Sequence, residues 1–301
     1  MKKKILIIGG TGFIGYHLAK EALKKGFTVS SISKNSPKKI RYLKKVNYII
    51  ADITNKKTIK KKIKENFQYI VNLSGYVDHS NKISTYKTHY LGCKNISNFF
   101  LEKKIKKFVQ IGSSMEYGIV RSPQKENFRC KPKSAYGKAK LLATQHLLDL
   151  YKQKKFPVTI LRLYQVYGPN QDLNRFIPIV INSCKNNKVF PCSHGRQKRD
   201  FLYIDDVIKV IFLTLKNPKI SGQIFNVGYG KPIKIRNIIK KILRYYKSGQ
   251  PHFDKIKLRK EEQLKIYPHL SKLKNKLKWK PKVNFLKGLK KTISYYNDNI
   301  L

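Results

Sequence analysis

Short apolar runs alternate with stretches of helical spacing from the start of the chain to about residue 230. Residues 5–8 are an uninterrupted apolar run between lysines and glycines, too short for a helix, which is the pattern of a strand buried on both faces. Residues 13–25 then carry apolar positions at the spacing of an amphipathic helix. The alternation recurs. Strands are predicted at 27–33, 46–51, 69–73 and 108–111, and helices at 54–66, at 83–104 and from 134 through 150. Beyond them, a strand around Leu161 and Arg162 meets a sharp Tyr-Gly-Pro loop, and 201–204 is a strand with Asp205 placed to cap a helix ending at Leu215. A strand at 224–228, an amphipathic helix at 235–246 and a closing helix at 286–296 complete the pattern. It predicts an α/β fold of Rossmann type, a doubly wound parallel sheet that takes ligands at the carboxyl ends of its strands. The expected division is a dinucleotide-binding domain over 1–168 and a smaller C-terminal substrate-binding lobe over 169–301, with elements around 200–228 returning to the first. The loop-rich stretches 169–200 and 231–280 would build that lobe.

The glycines after the first strand add chemistry. Gly10-x-Gly12-x-x-Gly15 is a dinucleotide fingerprint, and Gly9 supplies a second glycine spacing. Gly10 is expected to allow the tight turn, Gly12 to let backbone amides approach a pyrophosphate, and Gly15 to let the helix pack closely on the strand. The anion would sit on the helix N-terminus, which makes Thr11, Phe13 and Ile14 cofactor candidates. About 20 residues further on, an acidic residue would bind the ribose 2′-hydroxyl of NAD, but Ser33-Lys34-Asn35 stands there. Without that carboxylate a 2′-phosphate is not repelled, and Lys34 could pair with it, so NADP is the expected cofactor and NAD the alternative; the bland reading of Lys34 is one more surface lysine. Asp52 and Ile53 end the third strand, where Asp52 could meet the adenine edge, or Asp52 or Thr54 could cap the next helix. Leu73, Ser74 and Gly75 form a small-residue turn of the kind that lies against a cofactor.

The fifth strand ends in Gly112-Ser113-Ser114-Met115-Glu116, at the sheet edge where catalytic groups gather. Tyr136 and Lys140 lie four apart near the start of a helix and share one face. An ammonium beside a phenol favours the phenolate, the form that can accept a proton.

With these residues the chain resembles the extended short-chain dehydrogenase/reductase family, in its nucleotide-sugar epimerase, dehydratase and reductase branch. The resemblance runs over nearly the full length. It rests on Gly9-x-x-Gly12-x-x-Gly15, Ser113 with Tyr117-Gly118, Tyr136-x-x-x-Lys140, Leu161-Arg162 with Val166-Tyr167-Gly168-Pro169, Arg199-Asp200-Phe201 with Tyr203 and Asp205-Asp206, and Trp279-Lys280-Pro281. It implies that Tyr136 is the acid/base on a sugar hydroxyl or ketone, that Lys140 tunes it and holds the nicotinamide ribose, and that Ser113 hydrogen-bonds the same oxygen. It further implies that Arg199 approaches the diphosphate of a sugar nucleotide, that 176–178 (Phe176 first) line the nucleotide side, and that the long helices pair in a homodimer. The bland alternative for Arg199 and Asp200 is a structural salt bridge. Three departures narrow the reaction. Members that dehydrate carry Asp-Glu directly after the catalytic Ser or Thr, whereas Ser114 and Met115 stand here, with Glu116 one position late as a shifted base at most. Gln165 replaces an Asn that orients substrate, and His89 stands where many members have Asn. Ser114 and Gln165 are therefore substrate candidates, and the pattern implies a 4-ketoreductase of a deoxyhexose nucleotide for surface polysaccharide synthesis, with a 4-epimerase as the alternative.

Composition changes this picture little. The formal charge of +50 over 301 residues invites a polyanion partner, but the lysines are spread along the whole chain among Ile, Asn and Tyr, as a solvated surface and not as a nucleic-acid groove. The arginines are more telling: Arg162, Arg175 and Arg199 each sit inside a motif. The four cysteines, Cys93, Cys130, Cys184 and Cys192, lack ligand spacing and read as reduced, the seven histidines form no constellation, and no metal is expected. No apolar run reaches the ~20 residues of a membrane span, so a cytoplasmic protein with no membrane partner is expected.

Overall fold

Seven parallel strands form the central sheet of the computed structural model, which describes residues 2–76, 78, 80–258 and 262–299. They are β1 (Lys4–Ile8), β2 (Thr28–Ser33), β3 (Val46–Ile50), β4 (Tyr69–Asn72), β5 (Lys107–Ser113), β6 (Val158–Leu163) and β7 (Gln223–Val227), in the order β7-β6-β5-β4-β1-β2-β3. The helices are α1 (Phe13–Lys24), α2 (Lys56–Lys62), α3 (Lys82–Tyr86, a π turn at Lys87–Leu91, then Gly92–Leu101), α4 (Ala135–Lys154), α5 (Phe176–Lys185), α6 (Ile204–Leu215), α7 (Ile235–Tyr246), α8 (Ser271–Leu277) and α9 (Phe285–Asp298). Strand residues divide by parity between two cores. Ile5, Ile7, Val71, Val109, Leu161 and Phe225 pack with α1 and α6, while Leu6, Ile8, Ile70, Phe108 and Ile160 pack with α2, α3 and α4. Each fully buried side chain of this kind contributes about 1.5–3 kcal/mol, which is why an apolar run without alternation becomes a central strand.

Three elements differ from the sequence reading. The helix expected at 54–66 is only α2, because Asn55 caps it by accepting from Thr58 N (3.2 Å), and Ile63 leaves the helix to enter the core. The single helix expected at 83–104 contains the π turn, whose extra residue no periodicity announces. Asp205 does not cap α6; the N-cap is Tyr203, without a side-chain bond, and Asp206 accepts from Lys282 N and Val283 N instead.

After β6 the chain leaves the sheet and returns in β7, and its excursions build short ladders. Gln165–Tyr167 pairs with Phe201–Tyr203, and Lys198–Arg199 lies between Ile233–Lys234 and Lys265–Ile266. The loop after Tyr167 is a joint. His17 Nε2 on α1 donates to Pro169 O (2.9 Å), buried Arg41 donates to Asn170 O (2.7 Å) and pairs with Asp172 (3.1 Å), and Tyr296 OH on α9 donates to Gln171 O.

Candidate active site

At the glycine turn the roles differ from expectation. Gly9, at φ +80°, is the left-handed residue of the tight turn expected at Gly10. Gly10 is required by packing, since a Cβ there would lie 2.3 Å from Ser31 Oγ on β2. At Gly15 a Cβ would lie 2.4 Å from Gly9 O, so α1 starts directly against the turn. Gly12 is the N-cap of α1, with no side-chain cap and no acidic residue in the first turn, and a Cβ there would meet only Gly9 O at 3.3 Å. Gly12 N donates to Gly9 O (3.1 Å), which leaves the Phe13 and Ile14 amides at an open helix start, where a diphosphate fits and Gly12 adds no side chain to obstruct it. Thr11 N lies next to them and donates to Ser33 Oγ (3.4 Å).

Ser33 ends β2 and Lys34 follows it, exposed, with Nζ 3.5 Å from an Asp52 carboxylate oxygen. That carboxylate also accepts from Thr54 N and Thr54 Oγ1, both at 2.8 Å. Asp52 therefore closes the turn before α2, and neither it nor Thr54 is a helix N-cap. Burial raises the Asp52 carboxyl, but the Thr54 bonds and Lys34 outweigh it and the net shift is downward. Ile53 is buried against Gly92, and its carbonyl accepts from Asn95 (3.0 Å), which places its side chain in the core. At the end of β4, Leu73 N donates to Ile8 O (2.8 Å), and Ser74 donates from N and Oγ to Asn72 Oδ1 (3.1 and 2.6 Å). Gly75 follows, exposed.

β5 and α4 bring the acid/base candidates to one place. Ser113 is the last residue of β5, and its Oγ accepts from Met115 N (3.2 Å), which leaves the hydroxyl proton available to donate. Ser134 caps α4 by accepting from Gly137 N (3.1 Å), fixing the first turn that carries Tyr136. Lys140, one turn later and buried, holds its Nζ 6.0 Å from the centre of the Tyr136 ring and donates to Ile111 O (2.9 Å). Beneath Ser113 lies Glu116, fully buried. Its carboxylate accepts from Ser113 N (2.8 Å), Thr144 Oγ1 (2.9 Å) and Arg162 Nε (2.8 Å). Both oxygens are committed, so Glu116 is no shifted base. Burial opposes the Arg162 charge, yet Glu116 and Tyr117 outweigh it and shift the guanidinium upward.

A cavity of about 410 Å³ opens beside these groups, lined among others by Ser114, Met115, Tyr164, Gln165, Arg199 and Glu262. Arg199 pairs with Glu262, and burial pulls its guanidinium down to about 10. The Arg199–Asp200 salt bridge is not formed among the described residues. Asp200 instead accepts from Tyr229 N and Gly230 N (both 2.6 Å), and burial pushes its carboxyl up to about 7 against those bonds. Phe176 starts α5 with its ring 6.1 Å from that of Phe201 and is not among the residues lining this cavity. Sequence reasoning missed the structural use of Glu116 and Arg162, whose one signal was the charged Arg162 within the apolar run of β6. His89, singled out in the sequence only as standing where many members have Asn, is buried in the π turn with its ring 4.9 Å from that of Tyr136. Among the described residues, no group of His, Cys, Asp and Glu could hold a metal ion, the four cysteines are free, and no helix is long and apolar enough to cross a membrane.

Residues 5–228 match the NAD dependent epimerase/dehydratase family. Among curated proteins, dTDP-D-glucose 4,6-dehydratase of Homo sapiens is 28% identical over 327 residues, covering 99% of this chain and 91% of its own. Among solved structures, UDP-glucose 4-epimerase of Thermotoga maritima with UDP-glucose superposes with a TM-score of 0.90 at 23% identity, over 98% of this chain and 99% of that one. UDP-glucuronic acid 4-epimerase of Bacillus cereus, in complex with UDP-glucuronic acid and NAD, does so with a TM-score of 0.87 at 25% identity, over 98% and 99%.

Proposed function

Because the chain belongs to the NAD dependent epimerase/dehydratase family, we propose that it is an NAD(P)-dependent enzyme acting at C4 of a nucleotide-activated hexose, as the reductase of a nucleotide-linked 4-keto-6-deoxyhexose for surface polysaccharide synthesis. One observation carries the reading. Ser113 ends β5 and Tyr136 and Lys140 share the start of α4, next to a cavity of about 410 Å³ lined by their neighbours Ser114, exposed Met115 and Ser134, while the next carboxylate, Glu116, is buried on Arg162. That set supports proton delivery to one oxygen and offers no second acid and base for eliminating water.

When bound, a nicotinamide dinucleotide supplies the hydride. The Phe13 and Ile14 amides would hold its diphosphate, with Gly12 leaving room for it, and Ser33, Lys34 and the Leu73–Gly75 turn would flank it. Tyr136 delivers the proton to the C4 oxygen, to which Ser113 donates its free hydroxyl hydrogen. Lys140 spends one of its three donors on Ile111 O, which aims the ammonium at the Tyr136 side and leaves donors for a ribose. Arg199 and Gln165 face the sugar nucleotide from the far wall. Ser33-Lys34-Asn35 puts no carboxylate at the end of β2 itself, which supports NADP over NAD, with Lys34 shared between the Asp52 carboxylate and a 2′-phosphate.

A 4-epimerase is the second reading, favoured by the 25% identity to an epimerase that holds NAD. The two separate on cofactor stoichiometry. With a nucleotide-linked 4-keto-6-deoxyhexose and NADPH, the expected result is stoichiometric oxidation of the reduced cofactor. Interconversion of 4-hydroxyl epimers with only catalytic or copurified cofactor, and no net oxidation, selects the epimerase.

A further inference from the structure

His89 is a buried titratable side chain at the heart of the site to which the chemistry above gives no task. It lies in the π turn of α3, where the widened turn carries residue 89 toward α4 and the end of β4. Its ring touches both halves of the site. On one side it meets the Tyr136 ring edge-on, with centroids 4.9 Å apart and planes at 79°. On the other, Tyr76 N donates to its Nε2 (3.2 Å), and Tyr76 O lies 3.3 Å from the same nitrogen. Its Cε1 fills the space that a side chain on Gly75 would need, since a Cβ there would lie 2.9 Å away. Gly75 and His89 are thus complementary in shape. The turn that flanks the cofactor meets the Cε1–Nε2 edge of the imidazole, and the phenol that moves the proton packs against the same ring.

We propose that His89 is a positioning residue that sets the separation between the Gly75–Tyr76 turn and the Tyr136 ring, and so registers the acid/base group against the bound dinucleotide. This rests on the reading of Tyr136 as the acid/base and of the β4 turn as a cofactor contact. The ring contact and the hydrogen bond can be removed separately. His89→Phe keeps an aromatic edge for Tyr136 but offers Tyr76 N no acceptor. His89→Gln keeps an acceptor at similar reach but has no ring.

The test measures NADPH and NADH affinity by fluorescence titration, together with kcat and KM for a nucleotide-linked 4-keto-6-deoxyhexose, on variants that retain the wild-type Tm within a few degrees. His89→Phe is expected to weaken dinucleotide binding roughly tenfold, as for loss of a buried hydrogen bond that leaves its donor unsatisfied. His89→Gln is expected to bind the dinucleotide like wild type and to lose roughly tenfold in kcat with KM unchanged, because the phenol is misaligned and not removed. Gly75→Ala should weaken dinucleotide binding in the wild-type and His89→Phe backgrounds but not with His89→Gln, whose flexible end moves aside. Wild-type dinucleotide affinity in both His89 variants overturns the inference, as does equal loss of affinity and kcat in both, which is the signature of packing alone. A wild-type protein that binds neither NADPH nor NADH overturns the underlying reading instead.

Discussion

Replacing Glu116 by Gln separates a structural carboxylate from a catalytic one. The side chain is wholly buried and accepts three hydrogen bonds, one of them from Arg162, itself 2% exposed. Among the described residues Arg162 Nη1 has no hydrogen-bond partner and the guanidinium lies over the Tyr117 ring (4.6 Å to its centre), a contact that does not replace the Glu116 carboxylate. A Gln oxygen could still accept from Ser113 N, but its amide would turn a donor toward Arg162 Nε. Breaking one side of a buried ion pair costs about 3–5 kcal/mol, because the remaining charge stays desolvated. With one of three bonds kept, about 3 kcal/mol is expected here. Trp279 is the only tryptophan and is buried, so its fluorescence reports urea unfolding directly. At a urea m-value of about 3 kcal/mol per molar, the midpoint should fall by about 1 M. Turnover of the protein still folded should stay within a few-fold of wild type. The double variant Glu116→Met with Arg162→Met should recover much of the loss, since an apolar pair has no charge to strand. An unchanged midpoint together with a collapse of kcat would falsify this account and return Glu116 to the chemistry.

Tyr136→Phe should lower turnover by at least ~10²-fold with NADPH affinity unchanged, and Lys140→Ala should damage both, since one group moves a proton and the other also faces the ribose; full activity of Tyr136→Phe in the cofactor-oxidation assay removes the assignment. NADPH should bind more tightly than NADH in fluorescence titrations, and Lys34→Ala should cost NADPH about 1 kcal/mol at most, because the lysine is 77% exposed; equal affinities of the wild type for the two cofactors count against it. Asp200 has a folded pKa raised by burial to about 7, so its contribution is fully present below the unfolded value near 3.9 and is lost as pH rises through about 7. Asp200→Asn, which mimics the neutral acid, should therefore gain stability relative to wild type between pH 5 and 8 in thermal melts at fixed salt, and a pH-independent difference refutes the shift.

The sheet was legible because a strand buried on both faces must be apolar at both parities, as Ile5 to Ile8 is, and the glycine spacing marked the turn into α1, where Gly12 is the N-cap. The positions of Ser113 and Tyr136 in the fold were legible because one ends β5 and the other stands in the first turn of α4, with Lys140 one turn further on the same helix. What escaped was set by contacts far along the chain. That Gly10 has no room for a side chain depends on Ser31, and the fate of Glu116 on Arg162 and Thr144 in two other elements. The π turn that turns His89 inward leaves a helical pattern undisturbed in composition and shifts only its phase.

The joint after Tyr167 also fixes a timetable for biosynthesis. Pro169 is held by a residue 152 positions earlier and Gln171 by one 125 positions later. At roughly 5–20 residues per second, a ribosome needs about 6–25 s to make Tyr296 after Gln171 has been added. During that interval the β1–β6 half can form its strands, but the loop that meets Arg41 and α1 lacks its last clamp. A nascent chain stalled before α9 would thus present a formed nucleotide fold with an unlatched rim, which makes this seam the place where chaperones and proteases would find it.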